Sequence, residues 1–285
     1  MLKNARVYLP LEDEQACIVA RIEEMFSQLE SGVETLRQTK EQLAVYRQAV
    51  LKEAFVGRFT TGHHSEITFD LQWADTEITK GLPTLPTEWK YVSLAQLGDL
   101  GRGKSKHRPR NAAVLFENGI YPFIQTGEVK AANRANKPIT CFSKKYSEFG
   151  LQQSKLWKEG TLCITIAANI AETAFLGIDA CFPDSVVGFT ANDFSSAKYI
   201  KYFIESQKLR LWAFAPATAQ KNINLDTLEN LIVPYCDIKE QEMIINEIES
   251  RMTVCDQIEQ TVDAALQQAE ALRQSILKKA FEGGL

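Results

Sequence analysis

Several signatures of catalysis, export and metal binding are missing from this 285-residue sequence. No F-x-G-x-G is followed by Asn/Asp-Pro-Pro-Tyr/Phe, the pattern expected of a chain that binds S-adenosylmethionine and methylates an amino group; "IAANIAET" (166–173) is the nearest Asn-bearing stretch, without prolines or an aromatic. There is no P-loop, and Asp184 after Pro183 has no acidic companion suited to a nuclease metal. The six cysteines (Cys17, Cys141, Cys163, Cys181, Cys236, Cys255) include no C-x-x-C pair, so reduced thiols in the cytoplasm are expected rather than zinc or redox chemistry. His63 and His64 stand together without a third ligand at useful spacing, and no metal site is expected. The most apolar stretch, "TLCITIAANIAETAFLGIDA", is interrupted by Asn169, Glu172 and Asp179, and the N-terminus has no apolar signal core. Neither export nor a membrane span is expected, and the chain reads as a non-catalytic cytoplasmic protein.

What the sequence does contain is a repeat of itself. At an offset of 226 residues, and without a gap, "LKNARV" (2–7) meets "LENLIV" (228–233) and "EQACIVARIE" (14–23) meets "EQEMIINEIE" (240–249). Gln42 then meets Gln268, and "RQAVLKEAFVG" (47–57) meets "RQSILKKAFEG" (273–283). Shared Leu-x-Asn, Glu-Gln and Arg-Gln at constant register exceed what two amphipathic helices share by periodicity alone. In the first copy Ile22, Leu29, Leu36, Leu43 and Val50 recur every seven residues, widened by Ile18, Phe26, Val33 and Tyr46. The second carries Ile248, Cys255, Val262, Ala269 and Ile276, widened by Ile244, Met252, Ile258, Leu266 and Leu272. Asp13 is placed to cap the first helix, and Gly57 and Gly283 to end the two. Such stripes need a helical partner, and each copy supplies the other's, with the small Cys255, Ala265 and Ala269 allowing close approach.

Between the repeats, "RFTTGHHSEITFDLQWADTEITKGLPTL" reads as a polar linker, and residues 86–235 as a compact α/β domain. "YPFIQTG", "GTLCITIA", "ACFPDSVVGFT" and "LENLIVP" have strand composition, and "SSAKYIKYFIESQKLRLWAFA" has helical spacing at Tyr199, Tyr202, Phe203, Leu209 and Trp212. The expected fold is therefore mixed α/β: helix 1–57, linker 58–85, globular domain 86–235 and helix 236–285, the two long helices packed as an antiparallel coiled coil.

The formal net charge of −4 conceals an asymmetry. Residues 101–145 hold ten Lys and Arg against Glu117 and Glu128, while 11–56 and 236–285 are acidic. One section is thus built to meet an anion. "RGKSKHRPRN" (102–111) places five bases and His107 within ten residues, suited to phosphates and, through Arg, to guanine edges. "PATAQKNINL" (216–225) offers amides that present donor and acceptor together to a base.

In order along the chain, "LPTEWKYVSLAQLGDLGRGKS", "YPFIQTGEV", "CITIAANIAETAFLG", "ACFPDSVVGF", "APATAQKNINLDTLENLIVP", "EQEMIINEIE" and "LRQSILKKAFEG" resemble the specificity subunits of type I restriction-modification systems. The usual member has two target-recognition domains and two helical regions, whereas this chain has helix, domain, helix, and looks like a half-subunit. The resemblance implies a domain that reads one half of a bipartite site in double-stranded DNA, and helices that act as spacer and as platform for methyltransferase subunits. It implies pairing, as a homodimer or with another specificity half. S-adenosylmethionine is expected on partners, as are ATP and Mg where a restriction subunit joins. The candidate DNA-binding residues are Arg102, Lys104, Ser105, Lys106, His107, Arg108, Arg110, Gln125, Thr126, Lys130, Arg134, Thr218, Gln220, Lys221, Asn222 and Asn224. Ile22, Leu29, Leu36, Leu43, Val50, Ile248, Val262 and Ile276 are the expected helix-pairing set. The competing reading is a coiled-coil scaffold that binds only protein.

Overall fold

A computed structural model of the chain describes residues 10–60, 74, 80–214 and 222–284. It divides into two units, Met1–Val50 with Glu249–Leu285, and Leu51–Ile248. Residues 58–85 of the expected linker fall mostly outside the described residues, as do the "LKNARV" segment and His63 and His64.

The first unit is a pair of long helices. Helix α1 spans Glu12–Ala54, 43 residues or roughly 65 Å of rise. Its first turn is acidic (Glu12, Asp13, Glu14), which suits the positive end of the helix dipole. Asp13 therefore lies inside the first turn and not at the cap. The other long helix, Ile238–Phe281, is the last element of the chain. Ion pairs fix the mutual direction of the two. Glu30 meets Arg273 at 3.9 Å, Lys40 meets Asp263 at 2.7 Å, and Arg47 forks to Asp256 at 2.7 Å and Glu259 at 2.9 Å. Partner numbers fall as α1 numbers rise, so the helices are antiparallel. Between the Lys40 and Arg47 pairs, Leu43 and Val262 are buried, as are Val50, Cys255 and Ile276 along the seam. Leu29, Leu36 and Ile22 are half-buried. Of the residues expected to widen the stripe, Ile18, Phe26, Val33, Met252 and Leu266 are half-buried and Tyr46, Ile258 and Leu272 exposed, while Ile248 belongs to the globular unit. A two-helix seam hides only about a third of each surface, so residues flanking it stay in solvent.

The two copies of the repeat stop alike and are covered differently. After α1, Arg58 N bonds to Glu53 O and Gly57 N to Ala54 O; after the last helix, Gly284 N bonds to Lys279 O and Gly283 N to Ala280 O. Both are Schellman caps, with Gly57 (φ 76°) and Gly283 (φ 74°) in the left-handed conformation that glycine adopts without strain. Phe55 is 5% exposed and edge-on to Tyr199 and Phe203, whereas its counterpart Phe281 is 64% exposed. Likewise Glu240 is buried and accepts bonds from Thr60 Oγ1 and Trp89 Nε1, while its counterpart Glu14 is exposed.

The second unit holds three small sheets. Strand β1 (Lys90–Ser93) is followed by β2 (Gly98–Arg102), β3 (Tyr121–Phe123), α2 (Thr126–Ala135), β4 (Lys144–Tyr146) and α3 (Glu148–Gln152). Next come β5 (Leu156–Trp157), β6 (Leu162–Thr165), β7 (Thr173–Phe175), β8 (Ala180–Cys181) and β9 (Val186–Ala191). Helices α4 (Ala197–Ser206), α5 (Lys208–Phe214) and α6 (Leu225–Glu229), strand β10 (Ile232–Tyr235) and long helix α7 (Ile238–Phe281) complete the order. The sheets run β1-β10, β2-β9-β6-β7 and β4-β3-β8-β5. β6 is buried at every residue between two neighbours, which its apolar Leu-Cys-Ile run permits.

The larger sheets share a core at Trp157. Its indole stacks on Phe182 at 4.9 Å and lies over Gly101 and Gly188, which pair across β2 and β9. A Cβ at either glycine would come within 2.5 or 2.7 Å of the ring, so the indole needs both positions bare. Two expectations are corrected here. The single helix over 195–215 is broken at Gln207 into α4 and α5, and the break rotates the apolar face: Tyr199, Tyr202, Phe203 and Leu211 are buried, Leu209 and Trp212 exposed. The strand expected over "LENLIVP" begins only at Ile232, because Asn224 caps a helical turn through Glu229.

Candidate nucleic-acid interface

The basic loop leaves the sheet at the end of β2. Gly103 N bonds to Val186 O at 2.9 Å, and a Cβ at Gly103 would lie 2.3 Å from Pro183 O. Beyond it the chain is pinned by Lys106 N to Gln153 O (3.1 Å) and Ser154 Oγ to Lys104 O (2.9 Å). The basic side chains then divide. Arg108 Nη1 donates to the carbonyls of Ser105 and His107 at 2.5 and 2.9 Å, folding the loop on itself. Arg110 pairs with Asp184 at 2.6 Å, and Arg102 Nε donates to the Asp184 carbonyl. Lys104 and Lys106 are exposed. His107 is half-buried, edge-on to Phe149 at 5.5 Å. Ser105 is 9% exposed and lies against the Tyr146 phenol. Burial raises the Tyr146 phenol above its usual pKa, against the pull of Ser105.

A second group of candidates lies on α2. Gln125 N is capped by Glu128 at 3.1 Å, and Glu128 also accepts from Ser143 Oγ at 2.7 Å, so Gln125 and the half-buried Thr126 sit at a stitched helix start. Lys130 and Arg134 follow one turn apart, both exposed. Of the third group, Thr218, Gln220 and Lys221 lie outside the described residues. Asn222 and Asn224 are both exposed, and Asn224 Oδ1 accepts from Thr227 N at 2.7 Å as a helix cap.

Two residues that sequence reasoning missed link these groups. Asp184, weighed above only as a metal ligand, anchors Arg102 and Arg110. Its neighbour Ser185 accepts from Ile166 N at 3.0 Å, where the 166–171 loop begins. That loop bridges Ala167 to Asn222 and brings Asn169 Oδ1 to Lys130 Nζ at 3.2 Å. The basic loop, the 184–185 turn, the 166–171 loop, Asn222 and α2 thus form one run of direct contacts, and Lys104, Lys106, Lys130 and Arg134 stand out along it. Among the described residues no cluster of His, Cys, Asp or Glu could hold a metal, and no helix is long and apolar enough to cross a membrane.

The loop between β6 and β7 is strained. Ala168 (φ 62°) and Ala171 (φ 61°) both occupy the left-handed region, at about 1–2 kcal/mol each for a residue with a Cβ. Glycine would have marked these turns in the sequence; alanine conceals them. Replacing the exposed Ala168 by Gly relieves that strain and adds about 0.5–1 kcal/mol of unfolded-state entropy. The balance raises the melting temperature by roughly 1–3 °C, checked by calorimetry. A lower melting temperature would show the loop to be unstrained.

Residues 86–268 match the family model described as the type I restriction modification DNA specificity domain. Over its full length the chain is 26% identical to 59% of the EcoBI specificity subunit and 27% identical to 63% of the EcoDI specificity subunit, both type I restriction enzymes of Escherichia coli. It therefore spans about three fifths of these relatives. Two solved structures share the fold at 19% identity. One, from work on complex assembly and conformational transition of the type I R-M system, has a TM-score of 0.73, with 97% of this chain and 61% of that chain covered. The other, the HsdS subunit from Thermoanaerobacter tengcongensis, has a TM-score of 0.61 and coverages of 97% and 60%. With the family model matching well over half of its residues, the chain belongs to the type I restriction-modification DNA specificity family.

Proposed function

We propose that this chain is a non-catalytic DNA-recognition component that reads one half of a bipartite duplex site and docks methyltransferase subunits through its long helices. The observation that carries the reading is the row of exposed cations, Lys104, Lys106, Lys130 and Arg134, on the globular unit of an otherwise acidic chain. Duplex DNA demands such a row, because phosphate contacts dominate its affinity. The relatives' names, as specificity subunits of type I restriction enzymes, support the same assignment. One recognition unit contacts few base pairs, so useful specificity needs a second, from another copy or another specificity half. Two copies related by a two-fold axis read an inverted repeat with a fixed gap. Partners supply S-adenosylmethionine, and ATP with Mg where a restriction subunit joins.

The test is a methylation map of DNA from cells that express this chain with a type I methyltransferase subunit, set against cells lacking the chain. A new gapped inverted-repeat motif is expected. If no motif appears and the purified chain binds duplex DNA no better than a neutral protein, the scaffold reading takes its place.

A further inference from the structure

We propose that the 167–171 loop is a rigid base-reading element, and that Asn169 at its tip selects a purine at one position of the preferred site. This rests on the DNA-recognition reading above and adds a residue outside the basic loops.

The loop is held at several points along its backbone. Ile170 and Ala171 are buried at 1% exposure, and Ala171 N bonds to Thr165 O at 2.8 Å. The Thr165 hydroxyl donates to Asn169 O and accepts from Glu172 N at 3.0 Å. Ile223 N bonds to Ile166 O at 3.0 Å, tying the loop to the segment that carries Asn222. Two non-glycine residues in left-handed conformation persist only where their surroundings over-determine them, and such strain concentrates at ligand-binding sites. A side chain on so fixed a backbone is suited to discrimination, because readout needs geometry held to fractions of an ångström.

The chemistry of the tip narrows the ligand. Asn169 is half-buried beside exposed Lys130, whose ammonium occupies Oδ1 at 3.2 Å. The amide Nδ2 is then the group left to pair, and it is a donor. In the major groove, N7 is an acceptor on both adenine and guanine, while the pyrimidines offer none at that place. Lys130 adjoins this contact with a charge suited to the nearby phosphate.

The experiment is selection of duplexes from a randomised pool by the full chain, followed by sequencing. For Asn169→Ala, one purine position should become indifferent among the four bases while the others persist, with affinity for the best duplex reduced about tenfold. Lys130→Ala should weaken binding to all sequences and, by freeing Asn169 Oδ1, relax the preference at that one purine position only. Should the alanine variant melt early, Asn169→Asp keeps the Lys130 contact and removes the donor, so the purine preference must lapse there too. An unchanged motif in these Asn169 variants overturns the proposal. A wild-type chain that binds DNA without selecting any motif overturns it as well, and one that binds no DNA sinks the underlying recognition reading with it.

Discussion

Replacing Lys104, Lys106, Lys130 and Arg134 together by alanine lowers affinity for any duplex by about a thousandfold near 0.1 M salt, and flattens the slope of log affinity against log salt by about 3.6. Each phosphate contact releases condensed counterions, and four contacts set both numbers. These four are chosen because they are exposed on the candidate face. Arg108 and Arg110 are a different case. One closes the basic loop on its own carbonyls and the other holds Asp184, so their loss acts first on loop order. Binding titrations over a series of salt concentrations decide the matter. An unaltered slope would falsify the placement of the interface.

The second large effect concerns the helix pair. Val262→Glu puts a carboxylate at a position only 4% exposed, and Leu43→Glu does so at 9%. An unpaired charge left in an apolar seam costs about 3 kcal/mol or more. Because a two-helix unit has little other apolar burial to offset this, we expect the pair to separate. Circular dichroism at 222 nm should show a large loss of helix and a lower first transition. Ile258→Glu, on the same helix but 40% exposed, should change neither. A control variant as damaging as Val262→Glu would mean that the seam lies elsewhere.

How far the sequence disclosed this arrangement depended on what each feature is made of. The long helices were legible because sevenfold apolar spacing, an acidic start and a closing glycine are local and mutually consistent. The strands around "YPFI", "LCIT" and "VVGFT" were legible from composition. The break at Gln207 was not: nothing in "YFIESQKLRLW" forbids a continuous helix, and only tertiary packing turns Leu211 inward and Leu209 outward. At the interface, charge density pointed to the 102–111 loop, but not to which bases are spent on the protein itself, since Asp184 is 74 residues from Arg110. Asn169 had no signal, because the turns that fix it are made by alanines.

The matching caps of the two helices, with Phe55 covered and Phe281 exposed, have a consequence for degradation. A protease with aromatic preference meets the same Ala-Phe-x-Gly in both copies but can reach only one. Local opening of a final helical turn needs less energy where the Phe is 64% exposed than where Tyr199 and Phe203 pack edge-on against it. The same repeated word is thus expected to resist such a protease near residue 55 and to yield to it near residue 281.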